Sequence, residues 1–392
     1  MAPTDIITIP PPRRPEHREA SPWLRLVQVL LLLAVFLVGI RGMGTGFKGL
    51  GHDLLQSFFH ATDNPFVGLV VGILGTTLVQ SSSVTTSMIV ALVAAPEDPL
   101  PVSNAVPMIM GANIGTTVTN TIVSLGHVAR SNEFQRAFSA ATCHDFFNFI
   151  SVAVFLPLEL ATGFLSRTSA VIASAVGAGG PGKLPNPIKS FAKMAVGWIE
   201  SGIEMVTSST MAQAIVLIIL SAGIIFFALF FLVRILRGLA ETRLKVFVSR
   251  SVGKSGYIGM IVGIVVTVMV QSSSITTSVM VPLAAAGIMS LEQVFPVAIG
   301  ANIGTTLTAI LASMAVPSET AHLAVQIAFV HLLFNVSGML LIYPVRAVRR
   351  IPLRMSTWLA RLASRNKKAA IAYVLTLFYG VPALLIFLSR SL

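Results

Sequence analysis

The chain has 392 residues, of which 54% are hydrophobic and only 11% charged. A soluble domain carries about a quarter charged residues, so this composition excludes a water-solvated globular protein and makes lipid the main solvent. The net charge of +12 would suggest a nucleic-acid partner on a soluble protein, but here the cations cluster between apolar segments, as they do in membrane proteins, and no nucleic acid is expected.

Taken in order, residues 1–22 are Pro-rich and basic and read as a disordered cytoplasmic tail. The stretch LRLVQVLLLLAVFLVGI at 24–40 follows without a small-residue cleavage site, so residues 23–64 read as an uncleaved first membrane helix and its connection. Residues 65–95 hold two apolar arms of roughly a dozen residues, too short to cross a core of about 30 Å, on either side of Ser81–Ser83; they read as a re-entrant hairpin. A helix broken at Gly111 and Gly115 is expected over 102–125, and a crossing helix over 134–165. An outer Gly/Pro-rich connection spans 166–210. The apolar run AQAIVLIILSAGIIFFALFFLV at 212–233 opens a membrane helix and a basic cytoplasmic connection covering 211–255. A second hairpin (257–288), a second broken helix with Gly300 and Gly304 (291–315) and a crossing helix (321–345) follow. Residues 347–392 comprise a basic cytoplasmic segment and a last membrane helix. Cys143 is the single cysteine, so no intrachain disulfide can form.

The second half repeats the first. VQSSSVTTSMI at 79–89 returns as VQSSSITTSVM at 270–280, GANIGTT at 111–117 returns at 300–306, and His144 and Asn148 match His331 and Asn335. Blocks recurring in the same order make residues 65–165 and 256–346 internal duplicates. Counting crossings with both basic runs inside brings the two hairpins in from opposite faces. The expected fold is an all-α integral membrane protein of two inverted repeats, each with a re-entrant hairpin and a broken helix, as in secondary transporters.

Polar, non-helical backbone at membrane depth is tolerated only where it is buried in protein or lines a cavity. Each serine run is followed by a helix N-terminus, whose free N–H groups and positive dipole end favour an anion. Neither block contains Arg or Lys, and a neutral cage does not fully compensate a dianion in low dielectric, so cations must enter with it. Oxygens of Gln80, Asn113, Gln271, Asn302 and the block threonines, including Thr116, are suitable hard ligands for sodium. Helix packing by serine and threonine is the bland alternative. Asp145 is a carboxylate deep in apolar sequence and a functional candidate by that fact alone. Its repeat counterpart is Leu332. Glu159, after Pro157, reads as interfacial. His144 and His331 read as packing residues, since no His/Cys/carboxylate cluster has metal spacing.

The doubled QSSS and GANIGTT motifs, together with EFQRAFSAATCHDFFNFISV and LPLELATGFL, resemble the type II sodium-dependent phosphate cotransporters over roughly 60–165 and 250–390. That resemblance implies sodium-driven symport of inorganic phosphate by alternating access, with no cofactor beyond sodium as co-substrate and no enzymatic activity. It places Ser81, Ser82, Ser83, Ser272, Ser273 and Ser274 around phosphate. Gln271, Ser272, Thr305 and Thr308 match one sodium site, Asn148 matches a further one, and Asp145 matches the carboxylate of electrogenic members. The sequence departs from the pattern at His127, Arg130 and Ala301, and the outer connection lacks cysteines and glycosylation sequons. A multi-pass protein of a prokaryotic inner (plasma) membrane is therefore expected, its partners being phosphate, sodium, the bilayer and, as an open question of assembly, a second copy in a homodimer.

Other readings stay open on sequence alone. The same fold could carry another oxyanion or a dicarboxylate. Ser82 or Ser83 with His144 could form a hydrolase pair, although one nucleophile and one base would not require duplicated serine runs. An uncoupled channel or scaffold is the third.

Overall fold

The computed structural model describes residues 22–50, 60–95, 98–176, 187–251, 255–314, 316 and 319–389, and among these every regular element is a helix. The expected N-terminal tail and the Gly/Pro-rich stretch 177–186 lie outside the described residues. Among the described residues, five helices are long and apolar enough to cross a membrane: Val27–Gly49, Ser131–Thr162, Thr210–Leu232, Leu291–Ser313 and Ala321–Ile342. The chain is a membrane protein by that measure.

Each serine run sits at the corner of a helical hairpin. Hairpin 1 pairs Pro65–Val79 with Ser82–Val93, and hairpin 2 pairs Gly256–Val270 with Ser273–Ala285. Asn64 starts the first arm by accepting from Phe66 N at 2.9 Å, with Pro65 at the first helical position, where its missing N–H costs nothing. The corners are Gln80 (φ 56°) and Gln271 (φ 54°), the only non-glycine residues with positive φ among the described residues. Left-handed backbone costs an L-residue about 1–2 kcal/mol. Both glutamines offset part of that by turning their amides back to close the preceding helix, Gln80 Nε2 donating to Thr77 O at 2.6 Å and Gln271 Nε2 to Val268 O at 2.7 Å. The next residue is extended and starts a new helix: Ser81 Oγ accepts from Val84 N and Ser272 Oγ from Ile275 N, each at 3.3 Å. The motif QS is therefore a helix stop followed directly by a helix start, which is why it recurs.

The glycines of GANIGTT do not break helices. Val102–Thr116 and Leu291–Ser313 run through them, and the second stays unbroken to its end. The expected break over 291–315 is thus absent. In the first repeat the interruption falls at Thr117, whose Oγ1 donates to Ile114 O at 2.9 Å, before Val118–Leu125 resumes. The glycines permit close approach instead. A Cβ on Gly72 would strike Met108 O and one on Gly111 would strike Leu69 O; in the second repeat the corresponding clashes are Gly263 with Val297 O and Gly300 with Met260 O. Each hairpin's first arm is thereby pressed against the GANIGTT helix of its own repeat, the small-residue contact that replaces hydrophobic force in lipid.

The second arms cross over. Ser82–Val93 packs on Leu291–Ser313 and Ala321–Ile342, while Ser273–Ala285 packs on Val118–Leu125 and Ser131–Thr162. Their C-terminal carbonyls are capped by the opposite repeat at equivalent positions. Thr320 Oγ1 donates to Ala94 O at 2.8 Å, and Arg136 Nε donates to Ala285 O at 2.9 Å. The arginine also complements the negative helix end.

The structure adds detail to the sequence reading. The outer connection, read with room for a short helix after residue 193, contains Phe164–Ala175 as well as Pro187–Glu204. The membrane helix expected over 211–233 continues as one 42-residue helix, Thr210–Ser251, about 60 Å long and so far beyond the hydrocarbon core. Glu159, near the end of its helix, is buried against protein. The Ser131–Thr162 helix stops at Gly163 (φ 63°), and Glu159 Oε2 accepts from Leu165 N at 2.6 Å, satisfying the start of the next helix.

Candidate functional site

The two hairpin corners, far apart in sequence, are joined through one threonine. Ser83 Oγ in hairpin 1 donates to Thr308 Oγ1 at 3.4 Å, and Thr308 Oγ1 donates to Gln271 Oε1 at the corner of hairpin 2 at 3.2 Å. The equivalent contact in the other repeat is Thr119 Oγ1 to Gln80 Oε1 at 2.9 Å. Gln271 is buried and Gln80 exposed, so the two corners are not in the same environment.

The N-terminal N–H groups of a helix have no intrahelical partner. Ser81 and Ser272 satisfy those of Val84 and Ile275, leaving the N–H groups of Ser82, Ser83, Ser273 and Ser274 for an outside acceptor. The hydroxyls of Ser82, Ser273 and Ser274 have no protein partner among the described residues. These are donor atoms of the kind an oxyanion requires. The surrounding oxygens suit a hard cation. Thr116 and Thr305 donate to Ala112 O and Ala301 O, each at 2.9 Å, so their lone pairs remain available, as do those on the glutamine Oε1 atoms. Among the described residues no group of His, Cys and carboxylates could hold a metal ion.

A second polar chain ties the repeats together deeper in the protein. His144 Nε2 lies 2.6 Å from Asn302 Oδ1, Asn302 Nδ2 donates to Asn148 Oδ1 at 2.8 Å, and Asn148 Nδ2 donates to Asn113 O at 2.8 Å. With the amide oriented this way, Asn302 Oδ1 can only accept, so the His144 proton is assigned to Nε2. The equivalent set is not bonded this way: Asn113 Nδ2 turns to Ile109 O, Asn335 Nδ2 turns to His331 O, and Asn335 Oδ1 and His331 Nδ1 have no partner. Ser83 is with Thr308 and His144 with Asn302, so the serine–histidine pair of a hydrolase is not formed.

Asp145 is fully buried, and its hydrogen bonds go to a different set of groups. Its Oδ2 accepts from Tyr373 at 2.7 Å and Thr121 at 3.4 Å, while Oδ1 has no hydrogen-bond partner among the described residues. Arg130 is 76% exposed and donates to Glu133 at 2.8 Å; that bond holds its pKa above the ordinary arginine value. Its partner is thus Glu133 rather than the buried carboxylate.

The sequence pattern of the Na+/Pi-cotransporter family matches residues 35–234 and 224–356. The chain belongs to that family. It is 34% identical to the sodium-dependent phosphate transport protein 2A of Rattus norvegicus, over 97% of this chain and 70% of that protein. Against the 2A protein of Ovis aries the identity is 32%, over 94% and 68%, and against the 2B protein of Homo sapiens 31%, over 91% and 64%. No solved structure matches the chain.

Several residues of this family member escaped the sequence reading. Thr119 lies opposite Thr308 in the repeat alignment, so the signal was present. Asn120, which accepts from Thr277 at 2.9 Å and Ser278 at 3.1 Å, has alanine (Ala309) as its repeat counterpart. Tyr373 lies outside both repeats, and no local pattern marks it.

Proposed function

We propose that the chain carries inorganic phosphate into the cell together with sodium, through two inverted repeats whose re-entrant hairpins hold the anion between their serine corners. The relay Ser83–Thr308–Gln271 carries this reading, because it brings both corners to one locus. Phosphate oxygens accept from the N–H groups of Ser82, Ser83, Ser273 and Ser274 and from the hydroxyls of Ser82, Ser273 and Ser274, with Ser81 and Ser272 framing the two helix starts. Sodium is held by Gln271, Ser272, Thr305 and Thr308 on one side and by Gln80, Asn113, Thr116 and Asn302 around the other, with a further ion at Asp145 and Asn148. The cations supply the charge that this lysine- and arginine-free cage lacks.

Alternating access is supported by the asymmetry of the two polar sets. Equivalent residues are bonded across the repeats on one side and turned back on their own helices on the other. Exchange of those roles would convert one access state into its opposite. The basic runs after Leu232 and Ile342 support a cytoplasmic position at the plasma membrane for both segments.

The test is uptake of radiolabelled phosphate into proteoliposomes containing the purified chain. An inward sodium gradient should drive accumulation that arsenate inhibits and sulfate does not. Flux indifferent to sodium would indicate a channel, and preference for sulfate or a dicarboxylate would keep the fold and replace the cargo.

A further inference from the structure

The helix Arg346–Arg365 has three distinct faces. One, with Leu353, Ser356, Leu359, Ala360 and Ala363, is buried where the helix packs on Ser131–Thr162. The second carries Ile351, Met355, Trp358 and Leu362, all exposed, Trp358 by 64%. Their spacings of four, three and four residues put them on one stripe. The third carries Arg350, Arg354, Arg361 and Arg365, also exposed and also on one stripe, and is continued past the helix end by Lys367 and Lys368. The helix contains no acidic residue, and none of these cations has an acidic partner among the described residues.

No single solvent satisfies both exposed faces. Water would leave the four apolar side chains uncovered, and hydrocarbon would strand the arginines. The membrane boundary satisfies both, with the apolar stripe in the acyl region, the tryptophan at the interface and the cations at headgroup level. Connectivity holds the helix there. Residues 343–345 tie it to the membrane helix Ala321–Ile342, and Asn366 ties it to the apolar helices that follow.

We propose that Arg346–Arg365 lies in the membrane surface and that Arg350, Arg354, Arg361 and Arg365, with Lys367 and Lys368, bind the headgroups of anionic phospholipids. Charge complementarity selects the anionic lipid over a zwitterionic one. The inference does not depend on which anion the protein transports.

The experiment uses the full chain with Trp23→Phe and Trp198→Phe, so that Trp358 is the single tryptophan. It is reconstituted in vesicles containing equal mole fractions of phosphatidylcholine or phosphatidylglycerol labelled with bromine on the acyl chain. Trp358 fluorescence should be quenched in both, and more strongly by the brominated phosphatidylglycerol. Added salt should weaken that preference, and Arg354→Gln should lower it by roughly fivefold in lipid affinity. The salt titration reads the same property in the unsubstituted basic face, so a poorly folding variant does not remove the test. Equal quenching by the two lipids would overturn the headgroup site. Absence of quenching would mean that water or a protein partner covers the stripe, and would overturn the surface placement. Loss of the preference on adding inorganic phosphate at constant ionic strength would reassign the cations to the soluble anion.

Discussion

The phenol of Tyr373 donates a 2.7 Å hydrogen bond to Asp145 Oδ2 across 228 positions of sequence. One carboxylate oxygen is thereby held, with Thr121 as a weaker second donor at 3.4 Å, and the other oxygen is left without a hydrogen-bond partner among the described residues. On the proposed function, the second oxygen is the one that meets sodium. A hydrogen bond to a charged group contributes about 1.5–3 kcal/mol. Tyr373→Phe should therefore raise the sodium concentration needed for half-maximal uptake by roughly tenfold, with little change in phosphate affinity at saturating sodium. Sodium activation curves check it, and an unshifted curve would reduce Tyr373 to a packing residue alongside Phe138, whose ring centroid lies 6.1 Å away.

Asp145 itself should set the charge balance. At mildly alkaline pH inorganic phosphate is largely a dianion. Two sodium ions then make transport electroneutral, and a third at Asp145 makes it carry charge. Moving one charge through 100 mV is worth about 2.3 kcal/mol, enough for a large effect on rate. Wild-type uptake should respond to a potassium–valinomycin potential at constant sodium gradient, and Asp145→Gly should transport phosphate without that response. Equal voltage dependence in both proteins would sink the assignment. Because Arg130 is engaged with Glu133 at the surface, Arg130→Ala should leave the voltage response of the wild type in place.

The serine corners should set anion affinity. Ser82→Ala and Ser273→Ala each remove one donor from the proposed cage, and neither hydroxyl bonds to protein among the described residues. Phosphate affinity should fall by roughly tenfold to a hundredfold, with folded yield unchanged. Uptake titrations with phosphate measure it; unaltered half-saturation in both variants would rule out the corner site.

Helix approach should govern stability. A Cβ on Gly263 meets the backbone oxygen of Val297, which cannot rotate away, so Gly263→Ala should force the hairpin arm off its partner helix. Overpacking of this kind typically costs about 1–3 kcal/mol. Gly197, in Pro187–Glu204, has nothing within 4 Å of its added Cβ, and Gly197→Ala should be neutral or slightly stabilising because alanine is the better helix former. Thermal unfolding in detergent compares the two, and equal melting temperatures would refute the close-approach role.

The sequence alone carried what depends on local chemistry and on repetition. Composition excluded water as the main solvent. The doubled QSSS blocks located both hairpin corners, because a left-handed glutamine closing one helix and a serine opening the next are properties of adjacent residues. Gln271 was a candidate from its own chemistry and Thr308 from the family resemblance, while Thr119 was missed although it lies opposite Thr308 in the repeat alignment. What the tertiary structure decided involves partners that no sequence window contains. The glycines of GANIGTT looked like helix breakers, since glycine weakens an isolated helix, yet their role is set by a neighbouring backbone pressed against them. The role of Glu159, accepting from Leu165 N six residues on, was not legible beside its proline. The crossed caps, Thr320 on Ala94 and Arg136 on Ala285, and the Tyr373 bond to Asp145 arise only when distant helices pack. Hydrogen bonds between such helices form through three-dimensional proximity, and sequence spacing carries no record of it.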